Sequence, residues 1–468
     1  MDSLFELVHL VLGNVWTYGV TFLAVLGILV FVHEWGHYIV ARLCGVRVEV
    51  FSVGFGREIF GWTAKSGTRW KISLFPLGGY VKMFGDMDPA SAGHTEEIED
   101  GSGHKREMTE EERAVAFFSK PVWKRALIVF AGPAINFIFA ILILASLYMG
   151  IGRPVTPPQV TGVEVGSAAD AAGFVPHDVV TAIDGVPIIS FDEVRRFVML
   201  RLDQEMIFEV ERDGQILKLP VIPQKVTDTD RFGFAHERGY LGVIGPANGI
   251  DMSHISSVNG QETKGDLALT HRLVEENLGK IMTIGTAIDT RESNITIRPP
   301  VEMNVQVTNP EDKNYNALFL GVRPGEEIVS YGPFAAMKVA VSETWTITTE
   351  TLNAVGQMVT GTRSAKELGG IIRIGAMAGD MAERGIISVV LFTALLSINL
   401  GLINLFPIPM LDGGHLLFYG VEAVRGKPIP ERVQEYAFRF GLVILVSLMV
   451  FSNLNDVIQM FVLKGAGS

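Results

Sequence analysis

The chain is nearly without cysteine and light in charge. Its 468 residues hold one cysteine, Cys44, which excludes internal disulfides and any metal site built on several thiolates. Only 19% of the residues are charged, below the roughly 25% of an average soluble domain, and the mean hydropathy is +0.32. Basic residues are outnumbered, 39 against 51, for a formal charge of −12. A phosphate-binding face needs the reverse, so nucleic acid is not an expected partner. No Lys or Arg precedes Tyr18, so the basic region that opens a cleavable signal peptide is missing. A metal in this chain has to be held by histidine and carboxylate.

What is present is apolar sequence gathered into four runs: Tyr18 to Ala41, Leu127 to Tyr148, Ile386 to Phe406, and Phe438 to Phe451 with an extension towards Phe461. Runs of about 20 such residues cross a bilayer as helices. Lys and Arg crowd the loop between the first two runs, from Arg47 to Arg125, and recur at Arg425, Lys427 and Arg432. Positive charge marks the cytoplasmic side. The expectation is therefore a multi-pass α-helical membrane protein of four transmembrane helices, with both termini and the long segment 150–385 extracytoplasmic.

The connecting segments differ in kind. Residues 46–85 alternate β-branched and aromatic residues with glycine breaks, the pattern of β-hairpins. Residues 86–113 are acidic and small, a solvated linker; His94 and His104 lie in it, and histidines in such tracts are usually solvated rather than metal-bound. The outer segment reads as two diverged α+β modules about seventy residues apart. In the first, a strand, the small-residue turn AADAAGF, a second strand and a DG turn lead into a helix with Val194, Phe197 and Val198 on one face. The second, from His254 to Ile284, repeats a strand, an NG turn and a helix but lacks the small-residue turn. The amphipathic stretch Tyr331 to Thr360 suits either the membrane surface or the modules.

Chemistry-bearing residues sit inside the first run. His33-Glu34-Trp35-Gly36-His37 is an H-E-x-x-H pattern: on a helix the two histidines share a face and can hold one zinc, with Glu34 placed as general base. Ionisable groups in a membrane span normally face an interior site. A catalytic zinc needs a third protein ligand. The third run supplies it at Asp412, beyond Pro407 and Pro409, which break the helix; His415 is the competing ligand. Depth agrees, since His33 lies roughly 22 Å along its helix from Tyr18 at ~1.5 Å per residue, near the cytoplasmic boundary where the third span also ends. Asn404 reads equally as a hydrogen-bond donor to substrate or as interhelical glue, and Asn136 as glue beside Gly132, which allows close helix approach.

HEWGH, FSVGFG and PLGGYVKM, AGPAIN, and NLFPIPMLDGG, in that order, resemble the site-2 protease family of intramembrane zinc metalloproteases. The resemblance spans nearly the whole chain. It implies a Zn2+ cofactor on His33, His37 and Asp412, Glu34 as catalytic base, and a β-loop that presents substrate through Gly78, Gly79 and Tyr80, with Asn404 as a further substrate contact. It implies regulated proteolysis of single-span membrane proteins of the anti-sigma-factor type, and action on remnant signal peptides, in the bacterial inner membrane. It also implies that the outer modules are PDZ-like and contact extracytoplasmic tails. Their first is circularly permuted, with Gly239-Tyr240-Leu241-Gly242-Val243 supplying the missing strand, and Leu320-Gly321-Val322 would do the same for the second.

The organisation expected is a first span in 1–45, the β-loop in 46–85, the linker in 86–122, a second span in 123–150, modules in 151–248 and 249–326, an amphipathic connection in 327–385, a third span with the Asp412 motif in 386–415, and a cytoplasmic loop with a fourth span in 416–468. Two rivals come from other classes: a non-catalytic scaffold tethering extracytoplasmic tails, and a metal transporter. A transporter needs polar groups strung along a route, whereas those here cluster at one depth.

Overall fold

A computed structural model of the chain describes residues 16–86, 97–99, 105–229, 235–246, 249–263, 265–288, 291–309, 311–312, 314–321, 327–364 and 367–459. His94, His104 and Val322 lie outside the described residues, as does most of the acidic linker.

Four helices are long and apolar enough to span a bilayer: Tyr18–Leu43, Val122–Gly150, Ile386–Asn404 and Arg432–Ile458. The first is α1 (Thr21–Leu43). It leads into β1 (Val48–Thr63) and β2 (Arg69–Met83), which curl so that one stretch is paired on both sides. Val53, for example, has Gly79 on one flank and Ile72 on the other. The segment 79–83 is thereby left at an edge. The near half of this sheet packs on α1 through Phe51, Val81 and Met83, while Phe55, Ile59, Phe60, Trp62 and Phe75 are exposed. An exposed apolar patch of that size is a surface for lipid or protein rather than for water.

The second span, α2 (Val122–Gly150), carries Pro133 inside it. The segment beyond it includes β3 (Gly162–Glu164), β4 (Val179–Ile183), β5 (Val186–Pro187), α3 (Phe191–Leu200), β6 (Met206–Arg212), β7 (Gln215–Val221) and β8 (Val243–Ile244). It continues with β9 (Ile255–Val258), β10 (Gln261–Glu262), α4 (Leu267–Asn277), β11 (Met282–Ile288) and β12 (Arg291–Ile297). Each half has its own core, one around Phe174, Phe208 and Val210, the other around Met252, Ile284 and Ile295. Sequence reading expects two separate units, yet β3 pairs with β8 on one side and β12 on the other, so one six-stranded sheet, β8-β3-β12-β11-β9-β10, runs through both. Pairing partners this distant leave no local signal.

The stretch after the modules is α5 (Pro333–Thr360), then α6 (Ile371–Glu383), α7 (Ile386–Asn404), α8 (Asp412–Arg425) and α9 (Glu431–Ile458). Of the two surfaces its amphipathy leaves open, helix α5 reaches the first module, and it packs besides on two of the long apolar helices. Ala336 and Ala340 pack against Ala140, Leu144, Ala394 and Ile398 of α2 and α7, and Gln357 donates to the Leu200 carbonyl at 2.8 Å. The region after the third span also differs from expectation: α7 ends at Asn404, and residues 412–425, expected as span end and loop, form α8. Arg125 and Glu422 join α8 to the start of α2 at 2.6 Å.

Candidate metal centre

The site is built where α1, α2 and α8 meet. Helical spacing sets His33 and His37 one turn apart on α1, and both face α2. Two glycines permit the approach. A Cβ on Gly36 would stand 2.4 Å from the Ala131 carbonyl oxygen, and one on Gly132 would stand 2.1 Å from His37 Nε2. Each helix thus accepts the other through a missing side chain, as small residues do at close helix crossings.

Asp412 arrives from the opposite end of the sequence. After α7 the chain makes a compact turn in which Leu411 N–H donates to Ile408 O and Met410 takes φ +84°. A left-handed methionine is costly backbone, of the kind that persists where surrounding structure over-determines it. Here Gly413 and Gly414 supply the surroundings: a Cβ on Gly413 would lie 2.3 Å from the carbonyl oxygens of Leu405 and Phe406, and one on Gly414 2.5 Å from that of Ile408. The turn can therefore fold onto the first residues of α8 and hold Asp412 at the head of that helix.

Three donor atoms converge. His33 Nε2 lies 3.3 Å from His37 Nε2 and 3.2 Å from Asp412 Oδ2, and His37 Nε2 lies 3.5 Å from Asp412 Oδ1. Among the described residues these are the three whose ligand atoms gather, all within 4.8 Å. Zinc bonds of about 2.0–2.2 Å in tetrahedral geometry set neighbouring donors roughly 3.3 Å apart, which is the spacing found. The donor chemistry fits as well. His37 Nδ1 lies 2.9 Å from the Ile128 carbonyl, which can only accept, so the ring proton sits on Nδ1 and Nε2 is free to bind. Asp412 Oδ2 is sealed from solvent and makes no hydrogen bond of acceptable geometry, and a buried carboxylate oxygen in that state needs an ion or a donor. The residues present fit zinc.

Glu34 is buried beside this group, at 9% exposure. Gly79 lies against it: a Cβ there would stand 2.9 Å from Glu34 Cγ and 2.7 Å from Val30. The sheet edge at 79–83 therefore runs past the general-base candidate. Gly78, at φ +142°, packs under Phe55, and Tyr80 stacks on Phe55 with ring centroids 6.1 Å apart while Lys71 sits over its ring. Of the three, the structure brings Gly79 to the site. Asn404 is the last residue of α7 and is half-buried. His415 packs its ring on Phe438, apart from the three-donor group. Sequence reading missed Ile128, a backbone acceptor that no side-chain pattern reveals. It also took Asn136 for glue alone, whereas the Asn136 amide lies 3.0 Å from His33 Nδ1. The available signal is its spacing of four from Gly132, which sets both on the α2 face towards α1.

Comparison with known proteins agrees with this geometry. The chain is similar over 440 residues, at 39% identity, to a candidate zinc metalloprotease of Agrobacterium fabrum, with 94% of this chain and 95% of that one covered. It is 33% identical over 463 residues to the regulator of sigma E protease of Salmonella typhi, covering 93% and 97%, and equally so to that of Salmonella typhimurium. Residues 21–448 match the model of peptidase family M50, so both H-E-x-x-H and the Asp412 turn fall inside the match, and the chain belongs to that family of zinc metalloproteases, the site-2 proteases.

Proposed function

We propose that the chain cleaves single-span membrane proteins within or beside the bilayer, with His33, His37 and Asp412 holding zinc and Glu34 moving the protons. The observation that carries this reading is the convergence of three donors at zinc spacing where α8 meets two helices long and apolar enough to cross a membrane. Zinc bound there supplies a Lewis acid that polarises a peptide carbonyl and acidifies water. Glu34 takes a proton from the attacking water and passes it to the leaving amine, so that the water adds across the C–N bond. A transmembrane substrate arrives with every backbone amide bonded internally, and must unwind before attack. The edge at 79–83 offers main-chain pairing to the unwound strand, a mode of recognition that reads backbone rather than side chains, and the absence of a Cβ at Gly79 lets that strand run close to Glu34. Tyr80 and Asn404 are the flanking contacts in this reading.

The outer modules are read as PDZ-like and as contacts for extracytoplasmic tails. A groove of about 460 Å3 supports this for the first: it is bordered by Val194 and Val198 of α3 and by Tyr240 to Ile244. Positive charge in the loops supports cytoplasmic placement of the metal site and extracytoplasmic placement of the modules and both termini, in a bacterial inner membrane. The test is cleavage of a single-span reporter by the full chain in liposomes. Glu34→Gln retains zinc and loses at least about 100-fold in rate; cleavage at the wild-type rate by the variant contradicts the role of Glu34, and a wild-type chain that leaves the reporter intact favours the scaffold.

A further inference from the structure

We infer that Asn136 is a positioning residue for the metal centre, its side-chain carbonyl accepting the Nδ1–H of His33 and so fixing the tautomer in which Nε2 is free for the ion. The inference rests on the metal reading of the site. A neutral imidazole carries one ring proton. With His33 Nε2 on a metal, that proton is on Nδ1, and Nδ1 then needs an acceptor. The atom 3.0 Å away belongs to the Asn136 amide, and Asn136 is fully buried, at 0% exposure.

An amide presents a donor or an acceptor according to a half-turn about its last torsion. With the NH2 towards the ring, Nδ1 becomes the acceptor and the proton moves to Nε2. Nε2 then faces Asp412 and His37 as an N–H and cannot bind an ion. In that orientation Asn136 Oδ1 is also sealed from solvent with no hydrogen-bond partner, a state that buried polar atoms rarely keep. The half-turn that delivers the oxygen to Nδ1–H is therefore the orientation that zinc requires. His37 meets the same need with the fixed carbonyl of Ile128, so of the two histidines His33 is the one whose tautomer a side chain decides. Asn136 is well held for the task, since its backbone carbonyl accepts the Ser397 hydroxyl of α7 at 2.8 Å.

Outer partners of ligating histidines typically contribute 10–100-fold in metal affinity. The test measures zinc affinity by chelator competition on the purified full chain, with thermal unfolding of the metal-free protein alongside. Asn136→Leu removes both amide atoms at similar volume; affinity falls about 10–100-fold, a loss larger than any change in metal-free stability accounts for. Asn136→Asp can accept and, as the carboxylate, cannot donate, so it keeps affinity at or above the wild-type value. Wild-type affinity in Asn136→Leu overturns the inference. So does a tenfold loss in Asn136→Asp, which decides the matter even where the leucine variant does not fold. A role as glue alone predicts a fall in metal-free stability for Asn136→Leu with no separate loss of zinc affinity. A wild-type chain that binds no zinc instead contradicts the metal reading itself, so the two failures are distinct.

Discussion

A single Cβ decides whether the metal centre can assemble. Gly132 leaves no room for a methyl group, which would stand 2.1 Å from His37 Nε2, and the neighbouring α1 backbone is held equally close at Gly36. Gly132→Ala is expected to push the two helices apart or turn His37 away, lowering zinc affinity by at least tenfold, a cost of about 1.4 kcal/mol. Gly27→Ala is the control on α1, since nothing lies within 4 Å of its added Cβ; it keeps zinc and gains up to about 1 kcal/mol of helix propensity. Zinc titration and thermal unfolding of the two variants check both expectations, and equal zinc affinity in the two contradicts the first.

Elements were legible where their physics is local. The H-E-x-x-H spacing is a helix period written in chemistry-bearing residues, and Pro407 and Pro409 mark the end of α7 by steric rules that operate within a few residues. Helix α8 was not legible, because its reasons to exist are tertiary. Gly413 and Gly414 provide the gap into which the Leu405, Phe406 and Ile408 carbonyls fit. The sheet shared by the two modules was hidden for the same reason, since β3 and β12 are more than a hundred residues apart. At this scale the Arg125–Glu422 pair is the tie that keeps α8, and with it Asp412, against α2. Both side chains are nearly buried, at 11% and 13% exposure, and Arg125 also covers the Tyr419 ring at 5.0 Å. Glu422→Ala strands the guanidinium and is expected to cost about 3 kcal/mol in thermal unfolding of the metal-free protein, with weaker zinc binding as α8 loosens. An unchanged unfolding midpoint shows that α8 is held by other contacts.

At the scale of the whole molecule a charged junction ties the first module to α5 and to the end of α2. Arg153 reaches Glu193 of α3 and Glu343 of α5, and Arg196 of α3 reaches Glu343 at 3.2 Å. Beside them a cavity of about 450 Å3 lies between α2, α3, α5 and α7 and is lined in part by Glu350. Burial pushes the Glu350 carboxyl up to about 7, with Arg196 opposing the rise and Glu343 adding to it. An acid whose pKa is higher folded than unfolded binds its proton more tightly in the native state, so its contribution is whole below about pH 4.5 and is lost as pH climbs to about 7. The wild-type chain is therefore expected to lose about 1 kcal/mol from this group between pH 5 and pH 8, after allowance for solvent screening. Glu350→Gln mimics the protonated acid; it matches wild type at pH 5 and exceeds it at pH 8, and parallel pH profiles of the thermal midpoint contradict the assignment.

The account as a whole rests on two stretches of chain almost four hundred residues apart forming one zinc site. Metal content measures this directly. The purified full chain should carry one zinc, and Asp412→Ala, which leaves H-E-x-x-H intact, should retain less than about a tenth of that under a chelator that leaves the wild type loaded. Full zinc retention in Asp412→Ala contradicts the account, because the ion would then be held without the residue that α8 brings to it.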